Sequence, residues 1–390
     1  MAPLLTRLGQ AFGFGAPSGS ADLGPVSVSG GAKVTPGNGY HYHVFTKDTP
    51  SPGLSLVVSG GTGIPGAVIL LVGGGGAGGG GWNIGGTWGG AGGGAGCVAY
   101  NPTIDIDPGT YPVVVGEGAA AGAGGRTTGN PEPAPERGHW PGAAGGTSFW
   151  NGPTGVGAGG GTPGGASGQA PNFPANRKTA SNDSTLGGST GGAGSKSPSP
   201  GLGISAAGDV GTHPGVTGWT FYGNKGAPAS PTGDSNACSS GGGGAGSTGF
   251  ITPSNSEGGN GGTGQPLPVF AAPLIAPAPT IDNPAAFILA VGPGGVYGGG
   301  GGGAAQNSPG DSGYGGYSPP NTYPGGGGNG GGDGDEKYNE NQLNPTSDAV
   351  LGYVPGTGGG AGGQSGNEGY QQGPAGADGI CVVRYPTSVA

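Results

Sequence analysis

The sequence predicts an all-β fold joined to a second element built from glycine. The expected form is a β-sandwich closed by the C-terminal strand, with a bundle of packed polyglycine-II helices and almost no α-helix. Three observations predict it. Short apolar runs bounded by Gly, Pro and Asn cluster at the two ends of the chain. Of the 390 residues, 108 are Gly and 39 are Pro, more than a third together. The glycine also follows strand-like segments, as in "AVILLVGGGGAGGGG" (67–81), "VVVGEGAAAGAGG" (113–125) and "FILAVGPGGVYGGGGGG" (287–303). A flexible tether has no reason to be preceded each time by a strand.

Taken in order, "PLLTRLGQAFGF" (3–14) sets Leu4, Leu5, Leu8 and Phe12 at helical spacing, weakened by Gly9 and Gly13. It reads as a short helix or as an extended peptide docked on a partner. Strand signals follow at "PVSVSG" (25–30), "GYHYHVFT" (39–46), "LSLVVSG" (54–60) and "AVILLVG" (67–73). Further ones are "CVAY" (97–100), "TIDIDPG" (103–109) and "YPVVVG" (111–116). "IDIDPGTYPVVVG" sets two strands around a Pro-Gly turn, which predicts a hairpin. Over 117–283 regular patterning stops, leaving Gly, Ala, Pro, Ser and Asn with isolated aromatics. Strands are expected again at "AFILAVG" (286–292) and "GICVVRYP" (379–386).

Glycine can order without side chains as polyproline II, with three residues per turn and a rise of about 3.1 Å. Such a helix makes no internal hydrogen bonds, so each N–H and C=O must find a neighbouring chain or water. Packed side by side, the helices pair laterally, and only Gly permits that approach at inner positions. "GGGGAGGGG" (73–81) would be an inner strut about 28 Å long at that rise. Outer helices can carry Ala, Ser, Asn and Pro on their exposed faces. Ordering Gly costs ~0.5–1 kcal/mol more than ordering Ala. A lone glycine helix is therefore excluded, and a bundle needs most of its amides paired. The alternative is strands joined by glycine loops without order.

Composition narrows the function. No Gly-X-Y frame persists, so collagen is excluded. The net charge of −9 and only 11 scattered basic residues argue against a nucleic-acid partner. No run of eighteen apolar residues suits a membrane-spanning helix. The start "MAPLLTRLGQAFGFGAPSGS" lacks a secretory apolar core, and assembly inside a cell is expected. Cys97, Cys238 and Cys381 fit no zinc spacing and cannot all pair within the chain; Cys97 and Cys381 read as buried free thiols.

Little here predicts catalysis. His41 and His43 share one side of a strand and could hold a metal, but a polar face on an edge strand is the expected reading. Asp333, Asp335, Glu336 and Glu340 cluster without calcium-loop spacing and read as a solvated loop. Nothing places a nucleophile beside a base, so no enzyme, metal or cofactor is expected. Aromatic rings beside Asn and Gly are the residue types of binding loops. They occur at "GHWPG" (138–142), "SFWNG" (148–152), "GWTFYGN" (218–224), "GYGGYSPPNTYPGG" (313–326) and "EKYNEN" (336–341). The alternative role for these rings is to cap the glycine bundle and shield its amides.

"GNGYHYHVFT", "LLVGGGGAGGGG", "IDPGTYPVVVGEG" and the terminal "GADGICVVRYP" together resemble the glycine-rich domain of tailed-phage virion proteins, over residues 37–386. More distantly the pattern is similar to the polyglycine-II adhesins that cap long tail fibres of T-even-like phages. The resemblance implies a structural protein of fibre or appendage type on the virion surface, with loops that bind a host receptor. A purely structural head decoration or head fibre is the other reading. Residues 1–24 would attach the protein to other phage structural proteins, with Leu4, Leu5, Leu8, Phe12 and Phe14 as the anchor. Residues 25–120, completed by 376–388, would form the sandwich, and 121–375 the glycine bundle. Receptor contact, to a host surface glycan or outer-membrane protein, is expected from Trp140, Trp150, Trp219 and Tyr222 and from Tyr314, Tyr317, Tyr323 and Tyr338. A homo-oligomer is expected, with a trimer favoured.

Overall fold

The computed structural model describes residues 24–49, 54–80, 82–83, 87–121, 144–152, 155–165, 188–192, 194, 216–228, 239–251, 257–305, 315–316, 325–328, 330, 354–364 and 373–389. Within them regular structure is mostly β-sheet, with only two short α-helices. The strands are β1 (Ser27–Ser29), β2 (Ala32–Val34), β3 (Tyr40–Phe45), β4 (Ser55–Ser59), β5 (Ile64–Val72), β6 (Trp82–Asn83), β7 (Thr87–Trp88), β8 (Val98–Ile106) and β9 (Gly109–Val114). They continue as β10 (Ser148–Trp150), β11 (Val156–Ala158), β12 (Thr220–Tyr222), β13 (Gln265–Pro266), β14 (Val296–Tyr297) and β15 (Ile380–Pro386). One sheet has the order β1-β4-β9-β10-β11 and the other β12-β8-β5-β15-β3-β2. The pairs β6–β7 and β13–β14 stand apart from both.

The C-terminal strand does not close an edge of the six-stranded sheet. It lies in the middle, with Val382 opposite Leu70 of β5 and Val44 of β3. Its apolar run explains the position, because both of its faces are covered. Ile380 and Val382 enter one apolar cluster with Leu70, Val72, Phe270 and Phe287. Cys381 and Val383 enter another with Ile69, Leu71, Leu56, Val113 and Trp150, which brings side chains of both sheets into one layer. Strand β5 divides its residues in the same way, so "AVILLV" shows no alternation. Each fully buried Val, Leu or Ile contributes ~1.5–3 kcal/mol.

Several predicted elements are corrected. Residues 286–292 are not a strand: α2 (Pro284–Val291) is a helix, and α1 (Ala272–Ile275) a shorter one before it. Asn283 caps α2 by accepting from the Ala286 N–H at 3.1 Å, Pro284 starts it, and Gly292 follows its end at φ 61°. An apolar run of this length suits strand or helix, and the Asn-Pro start was the deciding signal. Phe287, Ala290 and Val291 are buried against the six-stranded sheet's outer cluster.

The predicted hairpin is not one. Ile106 pairs with Ile64 in the six-stranded sheet, whereas Gly109 pairs with Val58 in the five-stranded one. The chain changes sheets at Asp107–Pro108, where the Tyr111 hydroxyl donates to the Asp107 carbonyl at 2.7 Å. Nor are "CVAY" and "TIDID" separate strands. β8 runs through both and bulges opposite β5 near Pro102, which has no N–H to pair. The middle of the chain, where patterning stops, still supplies β10 and β11 to one sheet and β12 to the other.

Candidate functional site

The glycine tracts leave the strand ends and are paired by their backbones. Gly73, Gly76 and Gly79 donate to Cys97, Gly94 and Ala91, at 2.9, 2.8 and 2.8 Å. Gly75 and Gly78 donate instead to Ala377 and Pro374. Every third amide thus returns to the same neighbouring tract. Tract 89–97 shows the pattern most fully. It donates to tracts 358–364, 159–165 and 239–245 in rotation, and accepts from 73–79, 188–192 and 298–305. Six neighbours surround one chain.

Close approach, not backbone sign, requires glycine there. A Cβ on Gly75 would strike the Gly359 carbonyl, one on Gly93 the Gly76 carbonyl, and one on Gly300 the Gly242 carbonyl. These are backbone atoms and cannot swing aside. Positive φ matters where a strand turns into a tract, as at Gly298 (φ 71°). The expectation that inner tracts carry only glycine is too strict, since Ala77, Ala91 and Ala95 are all fully buried.

Short hydroxyl side chains join the network. Thr162 Oγ1 accepts from the Gly191 N–H at 3.0 Å and Thr190 Oγ1 from the Gly226 N–H at 2.8 Å. Where sheet meets tract, Ser148 Oγ donates to the Val72 carbonyl at 2.6 Å and accepts from the Gly116 N–H at 2.8 Å. Asp378 accepts from the Gly118 N–H at 2.6 Å and pairs with Lys47 at 2.9 Å. The junction is therefore pinned by side chains as well as backbone, and the tracts beyond it chiefly by backbone.

The sequence-predicted contact residues divide. Trp140, Tyr314, Tyr317, Tyr323 and Tyr338 lie outside the described residues, as do the anchor Leu4, Leu5, Leu8, Phe12 and Phe14 and the acidic cluster at 333–340. Trp150 is fully buried in β10, with its ring stacked on Tyr111 at 5.7 Å and no hydrogen-bond partner on Nε1. Trp219 is 8% exposed and packs in the layer between the sheets. Neither ring is exposed, although Trp219 lies in the turn just before β12. Phe149, between Ser148 and Trp150, is the exposed one. "SFW" alternates as a strand, which turns Trp150 inward; that period was readable. Tyr222 lies in β12 and stays half-buried.

One face of the six-stranded sheet carries further aromatic and polar groups, spread from Tyr222 on β12 across to Tyr40 on β3. Tyr100 pairs with Leu70, and Val98 with Val72 and Tyr222, on the sheet face that bears the helices. Tyr40 and Tyr100 are half-buried against that cluster, and Tyr100 meets Phe270 edge-on at 6.4 Å. Arg384 projects onto the same face, its guanidinium carbon 3.5 Å from the Tyr40 ring centroid. Arg384 Nε is shielded from solvent and has no hydrogen-bond partner. Burial raises the Tyr100 hydroxyl's pKa, nearby Arg384 lowers it, and Tyr222 adds a smaller upward push. The signal for this group was a lone Arg inside the apolar run "ICVVRYP".

The expected polar face on an edge strand fails at His43, whereas His41 stays half-buried with its Nδ1 2.7 Å from the Thr35 hydroxyl. β3 is an inner strand, and His43 is 1% exposed. Its Nδ1 donates to the Gly30 carbonyl at 2.6 Å, which leaves Nε2 to accept from the Tyr385 hydroxyl at 3.0 Å. Burial lowers its pKa to about 4, so it is neutral near pH 7. Cys97 and Cys381 are buried free thiols, as expected, and burial pushes the Cys97 thiol up to about 12. Among the described residues no cluster of His, Cys, Asp and Glu could hold a metal. No described helix is long and apolar enough to cross a membrane. No protein-family model matches the chain, and no curated protein matches it in sequence.

Proposed function

We propose that the chain is a structural protein on the surface of a tailed-phage particle, of fibre or appendage type. In this reading the glycine tracts are polyglycine-II helices in a packed bundle, and the two sheets form the sandwich from which they extend. The observation that carries it is the rotation of hydrogen-bond partners with a period of three, as in tract 89–97. Three residues per turn is the polyproline-II repeat. A bundle paired this way resists bending, because an inner tract such as 89–97 is held from all sides. Such a scaffold suits a protein that must project segments of sequence from a particle and hold them there. The segments that carry Trp140 and Tyr338 would then touch a host surface glycan or outer-membrane protein, and residues 1–24 would bind other particle proteins.

The burial of Trp150 and Trp219 favours a second reading, a non-adhesive head decoration or head fibre. In that case rings in this chain chiefly stabilise the sheets and cap the bundle. One pair of measurements separates the readings. Amide exchange should show protected glycines in 73–79 and 298–303 under both, and random-coil exchange there would sink the bundle. Binding of labelled, purified protein to susceptible bacterial cells is expected only of the appendage form. A protein that folds with protected glycines but binds no cells leaves the decorative role.

A further inference from the structure

The glycine tracts meet one face of the six-stranded sheet at Val72, Val98 and Ile380, the last four residues along β15 from Arg384. Its cation is half-buried, shielded at Nε, and without a carboxylate partner among the described residues. A buried or half-buried charge is ordinarily paired. Here the guanidinium is instead held against the Tyr40 ring, which fixes its plane and lowers the cost of ordering it on a ligand. Asn38 adds an exposed amide at the same edge, donating to the Tyr42 hydroxyl at 3.0 Å while its Oδ1 accepts from the Tyr40 N–H at 3.2 Å. Tyr100 supplies a half-buried ring, already steadied by Phe270.

We propose that this face binds a pyranose sugar that carries a carboxylate. A planar guanidinium matches a carboxylate with two parallel N–H donors. One positive charge balances one negative charge. A phosphate monoester approaches two negative charges, and the chain's net charge of −9 opposes it without a second cation. Tyrosine rings offer flat apolar surface to the C–H face of a sugar ring, with a hydroxyl for its polar edge. Arg384 is the residue that recognises charge, Tyr40 the one that positions it, and Tyr100 the platform. The proposal does not rest on the particle-surface reading, since a sugar site on the sheet could serve any of the roles above.

The test uses the purified full chain and ligand-observed saturation-transfer NMR. Probes are D-glucuronate, D-glucose, acetate and glucose 6-phosphate. D-glucuronate should give saturable binding, with the neutral sugar and the bare carboxylate each much weaker. Arg384→Lys keeps the charge but loses the fork, and should weaken D-glucuronate by about tenfold or more. Tyr100→Leu should weaken it severalfold while the thermal midpoint moves little. Arg384→Gln should abolish binding; should that variant not fold, the other two still decide. Absence of D-glucuronate binding overturns the proposal, and so does equal binding of D-glucose or acetate. Tighter binding of glucose 6-phosphate overturns the carboxylate assignment, and wild-type affinity in both Arg384→Lys and Tyr100→Leu overturns the site.

Discussion

Val72 and Gly73 are neighbours in sequence and both buried, yet different forces hold them. Val72 pairs with Val98 and Ile380 in the sheet and sits in an apolar cluster with Phe270 and Phe287. Gly73 has no side chain to bury, and its amide is satisfied by Cys97 across a tract boundary. Up to residue 72 the chain is stabilised chiefly by removing hydrocarbon from water. From residue 73 it is stabilised by pairing amides that would be costly to bury unpaired. Tolerance to substitution should therefore invert at that boundary. In the sheet, losing volume is harmful; in the tracts, gaining it is.

The largest effect is expected from adding bulk to a tract. Gly75→Val and Gly300→Val would press β-branched groups into the carbonyls of Gly359 and Gly242. Neither backbone can withdraw without breaking its own lateral bonds. Both variants should fail to give a soluble protein with a cooperative thermal transition. If either one melts like the wild type, the tracts are not close-packed and the contrast with the sheet disappears.

Leu70→Ala tests the sheet's half of the comparison. Leu70 is fully buried and lies opposite Val382 and Tyr100. Its truncation should cost ~2–5 kcal/mol in chemical denaturation, as core deletions do, but leave a folded protein. A loss below ~1 kcal/mol would mean that the apolar clusters are not what holds the sheets.

How much of this was legible in the sequence follows the same boundary. β3, β4, β5, β9 and β15 announced themselves through apolar, β-branched runs bounded by Gly and Pro. Their partners did not, because pairing is set by contacts distant in sequence; Ile106 and Gly109 look like one hairpin and serve two sheets. The apolar run of α2 misled for a local reason, since its N-cap lies outside the run that drew attention. Glycine order was arguable from the strand-to-glycine pattern at β5 and β9, although the run at 287–291 is helical and β14 feeds the tract after it; which tract touches which was not arguable. A glycine carries no side chain to specify its neighbour. Of the site, the inward turn of Trp150 was readable from alternation, whereas the Arg384 group required the sheet order to bring β3, β8 and β15 together.

An intermediate effect is expected from pH. His43 is held neutral by burial, with a pKa lowered from 6.5 to about 4. The unfolded chain therefore takes up a proton first as pH falls. Stability from this group is fully present above pH 6.5 and is lost progressively between pH 6.5 and 4. The loss should reach at most ~3 kcal/mol, from 1.36 kcal/mol per pKa unit. Following His43 by NMR should show the folded form no more than about a tenth protonated at pH 5, roughly a unit over that value. A normal titration near 6.5 would show that the Gly30–His43–Tyr385 chain of bonds is open to water.

The smallest effect is the most discriminating, because the same chemistry can be applied on both sides of the boundary. Ala95 and Ala99 lie four positions apart, and both are fully buried. Ala95 is in the six-neighbour tract; Ala99 is in β8, opposite Leu71 and Phe221. Changing either to Gly adds ~0.5–1 kcal/mol of ordering entropy to the cost of folding. In β8 the lost methyl also leaves a gap against apolar neighbours, adding ~0.8 kcal/mol for the buried carbon. In the tract the neighbours are carbonyls and amides, which gain little from a methyl and already pair with one another. Ala99→Gly should therefore cost more than Ala95→Gly by roughly half to one kcal/mol, read from paired denaturant titrations. Equal losses would mean that apolar contact also holds the tracts, through the alanines placed within them. A larger loss at Ala95 would reverse the comparison and make its methyl a structural element of the bundle.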